Sequence, residues 1–112
     1  MNVNASIVIP VFNEINLIEK FVNNLSEAFK REKVKFIFVD DGSNDGSAEW
    51  LKSNLSKIFN KKNYELILLN KNHGKGYAIR EGIKIVEGYT LYLLTQILNI
   101  NLKIYMRCIM LC

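Results

Sequence analysis

Four short apolar runs, separated by segments with helical periodicity, constrain the fold of this chain most. The runs are SIVIPV (6–11), VKFIFV (34–39), YELILLN (64–70) and YTLYLL (89–94). Each is rich in β-branched or aromatic residues and has the length of a strand. Nearly continuous apolar strands that alternate with helices are typical of a parallel sheet covered by helices on both faces. The sequence therefore predicts an α/β fold with the order β-α-β-α-β-α-β.

The segments between the runs show the 3.6-residue period of amphipathic helices. A first helix is predicted over 14–31, a second follows SNDGS, and a third is predicted over 77–87. The expected inward-facing residues are Leu17, Ile18, Phe21, Val22, Leu25 and Phe29 in the first helix, Trp50, Leu51, Leu55, Ile58 and Phe59 in the second, and Ile79, Ile83 and Val86 in the third.

The length, composition and net charge of the chain limit how many domains it can form and which partners it can bind. A chain of 112 residues with 49% hydrophobic and 23% charged residues is typical of one globular domain. The net charge of +4 is mild and the lysines are scattered, so no nucleic-acid partner is expected. A mild positive charge would still suit an anionic ligand or an anionic membrane surface.

The cysteines and the two ends of the chain bear on its compartment. Cys108 and Cys112 form no disulfide framework, and the first residues lack the basic start of a secretion signal. Polar residues interrupt the apolar tail, so no transmembrane segment is expected. We predict a cytoplasmic protein that can lie peripherally at the membrane surface.

Three unusual loops follow the first three predicted strands: PVFNE, DDGSNDGS and NKNHGKG. In parallel sheets, ligands bind at the carboxyl ends of the strands, so these loops should meet at one edge. In the first loop, Pro10 ends the strand, Phe12 can stack on a planar base and Glu14 can accept a hydrogen bond from a sugar hydroxyl. Equal alternatives remain: Phe12 as a core aromatic side chain, and Glu14 as an acid in the first turn of a helix, where it complements the helix dipole.

The second loop begins with two adjacent carboxylates, Asp40 and Asp41. A helix cap needs one acceptor and not two in a row, so we expect this pair to contact a ligand. For Asp45 we favour a capping role. Gly42 should allow a close backbone approach or an unusual turn.

In the third loop, Gly74 and Gly76 flank Lys75 just before a helix. This pattern is typical of a turn that holds phosphate with helix-end N–H groups and an ammonium, although it lacks the P-loop spacing. Arg80 is a weaker candidate for phosphate contact. His73 is interpreted as a loop residue without a metal partner.

Together, SIVIPVFNE, FIFVDDGSNDGS and NKNHGKGYAIREGI resemble the three ordered motifs of family 2 glycosyltransferases, which have the Rossmann-like GT-A fold. The third motif is most similar to that of dolichyl- and polyprenyl-phosphate mannose and glucose synthases. The resemblance covers about residues 5–88, the N-terminal nucleotide-binding part of such an enzyme. It implies transfer of a sugar from a GDP- or UDP-linked donor to an acceptor such as a lipid phosphate.

The resemblance also implies the site residues. Pro10, Phe12 and Glu14 would lie at the nucleotide, Asp41 would contact the base with Asp40 beside it, and Gly74, Lys75 and Gly76 would lie near the nucleotide-sugar. A divalent metal, Mg²⁺ or Mn²⁺, would bridge the diphosphate in the family. The residue types alone admit two other readings, a non-catalytic nucleotide-binding module and, less favoured, a phosphotransferase of the haloacid dehalogenase type.

The chain departs from the family after residue 88. The metal-binding D-x-D is absent, and from Tyr89 onward there is no Asp, Glu or His, so no metal ligands or catalytic residues are predicted. One choice of codons for LTQILNI, read in a shifted frame, encodes Asp-Ser-Asp-Leu-Glu-Tyr. We therefore interpret 89–112 as an atypical tail, a frameshifted or mispredicted reading of a glycosyltransferase gene, and expect impaired transfer by the chain alone.

Overall fold

The computed structural model describes residues 5–86 and the backbone of residues 89–92. Its elements, in chain order, are β1 (Ala5–Val11), α1 (Ile15–Ala28), β2 (Val34–Asp41), α2 (Ser47–Ile58), β3 (Tyr64–Leu69), α3 (Lys75–Ile83) and β4 (Tyr89–Tyr92), with a short 3-10 turn (Lys61–Asn63) before β3. The strands form one sheet in the order β3-β2-β1-β4, and each neighbouring pair is parallel. The predicted α/β fold and strand order along the chain are confirmed. The predicted tail beyond β4 lies outside the described residues.

The sheet is covered by helices on both faces, as the apolar strands require. On one face, Phe36 and Phe38 of β2 pack with the buried side chains of α1 and α2. On the other face, Ile37 and Val39 of β2 pack with Ala78 of α3. Because side chains alternate between the faces of a strand, each central strand contributes to both layers.

Helix α1 buries a narrower stripe than the sequence predicts. Ile18, Phe21, Val22 and Leu25 are buried, but Leu17 is 47% exposed. At about 100° per residue, these four buried residues share one face of the helix, and Leu17 points about 90° away from the centre of that face. The prediction that Leu17 faces the core is wrong.

Helix α3 packs on the sheet through small residues, which corrects the predicted core face. Ala78 and Gly82 are its buried residues, whereas Ile79 is half-buried and Ile83 is exposed. A Cβ atom added at Gly82 would lie 2.5 Å from Cγ1 of Val8. The helix therefore lies too close to β1 for larger side chains to fit between them.

The strand register brings the three predicted loops together at one end of the sheet, where the carboxyl ends of the strands lie. Val11, the last residue of β1, pairs with Asp40, and Asp41, the last residue of β2, pairs with Leu69, the last residue of β3. The three loops therefore begin side by side at this end of the sheet. They are the first loop (residues 12–14), the second loop (42–46) and the third loop (70–74).

Candidate functional site

A cavity of about 150 Å³ lies where the first and third loops meet the end of β2. Its lining includes six of the eight predicted site residues; the full lining is Pro10, Val11, Phe12, Glu14, Asp41, Asn72, Gly74 and Lys75. The structure thus brings together one aromatic ring, two carboxylates and one ammonium from three separate segments. Val11 and Asn72 are additional lining residues that sequence reasoning missed.

Phe12 and Lys75 give the cavity wall an exposed aromatic face and an exposed cation. The Phe12 side chain is 42% exposed, although aromatic residues of this size are usually more buried. Lys75 is exposed and is the first residue of α3, a helix whose first N–H groups have no partners within the helix. An aromatic face can stack on a planar ring, and this helix end favours an anion.

Asp41 ties the third loop to the end of β2. Its Oδ1 accepts a hydrogen bond from the His73 N–H at 2.8 Å, and its Oδ2 accepts one from the Gly74 N–H at 2.8 Å. The Asn72 amide donates a longer one to Oδ2 at 3.3 Å. The carboxylate is 3% exposed and still lines the cavity. Asp41 therefore has a structural role in addition to any contact with a ligand.

Two glycines permit the close fit of the second and third loops. Gly42 has φ of +73°, and a Cβ atom there would lie 2.3 Å from the Lys71 carbonyl carbon and 2.5 Å from the Asn72 nitrogen. Gly74 has φ of +99° with ψ of 158°, a region that is open essentially to glycine alone. The sequence expectation that Gly42 allows a close backbone approach is confirmed.

Asp40 lies on the opposite face of β2 from Asp41, because successive side chains of a strand alternate. Its Oδ2 accepts a hydrogen bond from the Ser43 N–H at 2.9 Å, and its Oδ1 is buried without a partner within the described residues. Asp40 does not line the cavity. The two adjacent acids therefore do not both line this cavity, and a contact between Asp40 and a ligand remains a prediction.

Gly76, the other predicted residue outside the cavity lining, is the second residue of α3 and is exposed. A Cβ atom there would meet nothing within 4 Å. Neither backbone strain nor packing within the described residues explains a glycine at this position. His73 is exposed and stacks on Tyr77, with ring centroids 4.2 Å apart.

The first and second loops are joined by four hydrogen bonds. The N–H groups of Asn13, Glu14 and Ile15 donate to Ser43 Oγ at 2.9 Å, Ser47 Oγ at 2.9 Å and Asp45 Oδ2 at 3.1 Å, respectively. Asn13 Oδ1 accepts the fourth from the Asn44 N–H at 2.9 Å. Sequence reasoning missed these contacts, because no local pattern indicates which loop supplies an acceptor to another.

Asp45 also accepts hydrogen bonds at the start of α2. Its Oδ1 receives the Ser47 N–H at 3.0 Å and the Ser47 hydroxyl at 2.6 Å. Burial raises the pKa of Asp45, but the hydrogen bonds from the Ser47 hydroxyl and from the Ile15 and Ser47 N–H groups together outweigh it, so the pKa lies below its ordinary value. Asp45 thus accepts an N–H group at the start of α2, as a cap does, although Gly46 occupies the capping position of this helix, and it also links α2 to α1.

A larger cavity, of about 290 Å³, lies at the opposite end of the sheet. Its lining includes Phe29, Phe36 and Phe59, near the start of β2 and the ends of α1 and α2. None of the predicted site residues lies there. Because ligands of parallel α/β sheets bind at the carboxyl ends of the strands, the smaller cavity is the better candidate site.

The described residues contain no preformed cluster of ligands for a divalent metal. Among residues 5–86, no three His, Cys, Asp or Glu side chains lie close enough together to hold an ion. The sequence adds no carboxylate or histidine after Glu87. Magnesium is usually held by one or two carboxylates together with substrate phosphates, so the metal expected from the family resemblance would need oxygen ligands beyond those of the described residues.

Comparison with known proteins establishes the family. The sequence model described as "Glycosyl transferase family 2" matches residues 6–96, so the chain belongs to this family. An undecaprenyl-phosphate 4-deoxy-4-formamido-L-arabinose transferase of Yersinia enterocolitica is 38% identical over 86 residues, which are 75% of this chain and 26% of that protein. A dolichyl-phosphate beta-glucosyltransferase of Dictyostelium discoideum is 31% identical over 94 residues, 78% of this chain and 28% of that protein.

Solved structures show the same fold. Residues 1–349 of Staphylococcus aureus TarS, in complex with UDP, align with a TM-score of 0.68 and 23% identity over 85% of this chain and 27% of that one. The mannosyltransferase PcManGT of Pyrobaculum calidifontis, in complex with GDP-Man and Mn²⁺, aligns with a TM-score of 0.60 and 22% identity over 72% of this chain and 24% of that one. The predicted GT-A fold is confirmed. The chain spans about a quarter of the length of the proteins that it matches.

Proposed function

We propose that this chain binds the nucleoside part of a nucleotide-sugar in the cavity at the carboxyl end of β1 and β2. The observation that carries the proposal is the convergence of Phe12, Glu14, Asp41 and Lys75 on that one cavity. Small-molecule sites usually measure about 300–1,000 Å³. The cavity of about 150 Å³ is smaller, so it suits one part of a nucleotide-sugar, which we take to be the base.

The proposed roles follow from the chemistry of the side chains. Phe12 stacks on the base, and Asp41 accepts a hydrogen bond from a ring N–H through the acceptor capacity left beside its loop contacts. Glu14 accepts from a ribose hydroxyl. Lys75 and the first turn of α3, including Gly76, lie toward the diphosphate, where an ammonium and helix-end N–H groups suit negative charge. Pro10 and Gly74 shape the wall.

The proposed reaction of a protein that contains this site is transfer of a sugar from a GDP- or UDP-linked donor to a polyprenyl phosphate. Similarity to transferases named for undecaprenyl and dolichyl phosphate supports this choice of acceptor. Such an acceptor would bring the protein to a membrane surface. No helix within the described residues is both long and apolar enough to cross a bilayer. We propose no catalytic step through a metal, because the described residues offer no fitting ligand set.

A non-catalytic nucleotide-binding role is the second candidate; it would need no metal ligands, and within the described residues no three His, Cys, Asp or Glu side chains lie close enough together to hold an ion. Calorimetric titration of GDP and UDP, with and without Mn²⁺, tests binding by the full chain. A transfer assay from GDP-mannose and UDP-glucose to undecaprenyl phosphate then separates the two candidates. Binding with product formation supports the transferase, whereas metal-independent binding without transfer supports the binding role. Absence of binding to either nucleotide contradicts both.

A further inference from the structure

Asp45 does not line the cavity, but it holds the backbone that carries two cavity residues. Its Oδ2 accepts the N–H of Ile15, the first residue of α1. Its Oδ1 accepts the hydroxyl of Ser47, and that hydroxyl in turn accepts the Glu14 N–H. Glu14 lines the cavity, and Phe12 precedes it by two positions. A chain of hydrogen bonds therefore runs from Asp45 to the cavity wall.

The start of α1 depends on these distant acceptors. The first N–H groups of a helix have no partner within the helix and are usually satisfied by the side chain of the capping residue. Glu14 is the capping residue of α1, and its side chain makes no such hydrogen bond. The acceptors instead come from Asp45 and Ser47, which lie 30 or more positions later in the chain.

We propose that Asp45 is a positioning residue of the nucleotide site. By accepting the Ile15 N–H and orienting the Ser47 hydroxyl toward the Glu14 N–H, it fixes the first loop so that Phe12 and Glu14 face the cavity. This inference rests on the proposed function, since it concerns the binding of the same nucleotide.

Substitution by asparagine separates this role from simple capping of α2. If Asp45 only caps α2, Asp45→Asn should be nearly neutral, because Asn and Asp cap helices about equally well. Asp45, however, uses both oxygens for N–H groups of two different helices, and Asn has a single oxygen. The single oxygen of the asparagine amide should keep the hydrogen bonds from Ser47, because Ser47 supplies two donors. The NH₂ group of the amide then faces the Ile15 N–H, and the hydrogen bond to Ile15 is lost.

The first measurement is a calorimetric titration of GDP and UDP, with Mn²⁺, into the full chain and three variants. Asp45→Asn and Asp45→Ala should each weaken binding about tenfold. The control Glu49→Gln, which neutralises an exposed acid in the first turn of α2, should bind like the unsubstituted chain. Affinity of Asp45→Asn equal to that of the unsubstituted chain would overturn the proposal.

The second measurement is amide hydrogen exchange, resolved by NMR without nucleotide. Asp45→Asn should raise the exchange rate of the Ile15 amide about tenfold and leave that of Gly74 unchanged. Ser47→Ala, which keeps Asp45, should accelerate the Glu14 amide instead; this nearly isosteric variant also serves if an Asp45 variant fails to fold. Unchanged exchange at both amides contradicts the positioning role. If the unsubstituted chain binds neither nucleotide, the proposed function fails while the exchange rates still decide whether Asp45 holds the first loop.

Discussion

At the carboxyl ends of the strands, the second loop lies between the first and third loops, and the hydrogen bonds that join it to each are arranged differently. Toward the first loop, four hydrogen bonds end on four side chains: Asn13, Ser43, Asp45 and Ser47. Toward the third loop, three hydrogen bonds converge on Asp41 at the end of β2, and Gly42 lets the backbones touch. We call these the distributed junction and the concentrated junction.

The difference predicts how each junction fails. In the distributed junction, loss of one side chain leaves other hydrogen bonds in place. In the concentrated junction, one substitution removes several contacts together, and residues of one network do not contribute additively. The concentrated junction also lies at the cavity itself, so its failure should affect both folding and nucleotide binding.

The largest effect on stability is expected from Gly42→Ala in the concentrated junction. The new methyl group would overlap the Lys71–Asn72 backbone, and an alanine at φ of +73° is strained. We expect a loss of about 2–4 kcal/mol in the free energy of unfolding, measured by urea denaturation. A loss below about 0.5 kcal/mol would mean that the two loops do not touch in this way.

Asp41→Asn should have the largest effect on nucleotide binding. The His73 and Gly74 N–H groups each use a different oxygen of Asp41, and an amide offers one. Any hydrogen bond from the base to the carboxylate is weakened as well. Because a hydrogen bond to a charged group contributes about 1.5–3 kcal/mol, affinity for GDP or UDP should fall about ten- to a hundredfold. Equal affinity, with folding verified by circular dichroism, would show that Asp41 only shapes the third loop.

The distributed junction should show a pH dependence through Asp45. The pKa of Asp45 in the folded chain lies below its ordinary value of 3.8, so its ionised form is favoured by folding. This contribution is complete above pH 3.8 and is lost as the pH falls through the folded-state pKa. Urea denaturation of the unsubstituted chain and Asp45→Ala should therefore give a stability difference that shrinks as the pH is lowered below 3.8. A difference that is constant down to the lowest accessible pH would contradict this assignment.

The smallest change in stability is expected from Gly76→Ala, the matched control for Gly42→Ala. The added methyl group meets nothing, and alanine favours a helix over glycine by up to about 1 kcal/mol. Stability should rise slightly. If the diphosphate approaches this helix end, the same variant should bind GDP and UDP more weakly despite its higher stability. Unchanged affinity would place the phosphates away from Gly76.

The sequence predicts the fold and the meeting of the three loops better than it predicts individual contacts. Strand runs and loop order depend on local patterns, and the parallel sheet then brings the three loops to one edge. The roles of the acids depend on geometry that no local pattern contains. Asp40 and Asp41 are adjacent, so the pleat of β2 directs them to opposite faces. Asp45 was predicted to cap α2 and does accept the first N–H group of that helix, but its contact with Ile15 requires two segments that meet only in the folded chain.

The prediction of which α3 residues face the core was wrong because it, too, depends on geometry that no local pattern contains. A helix can pack through its small residues when it lies close to a sheet, so Ala78 and Gly82 face β1 and β2 while Ile83 is exposed. The periodicity of large apolar residues does not indicate how close a helix lies to the sheet. The same close packing fixes the start of α3, and hence Lys75, beside the cavity.

The most direct test of the proposed nucleotide site is an NMR titration of the isotopically labelled full chain with GDP and UDP. We predict that amide resonances of residues 12–14 and 72–76 shift in a saturable manner with one of the two nucleotides. Amides beside the larger cavity, at Phe29, Phe59 and Asn63, should not shift. Shifts centred on the larger cavity, or no saturable shift with either nucleotide, would contradict the assignment of the nucleotide site.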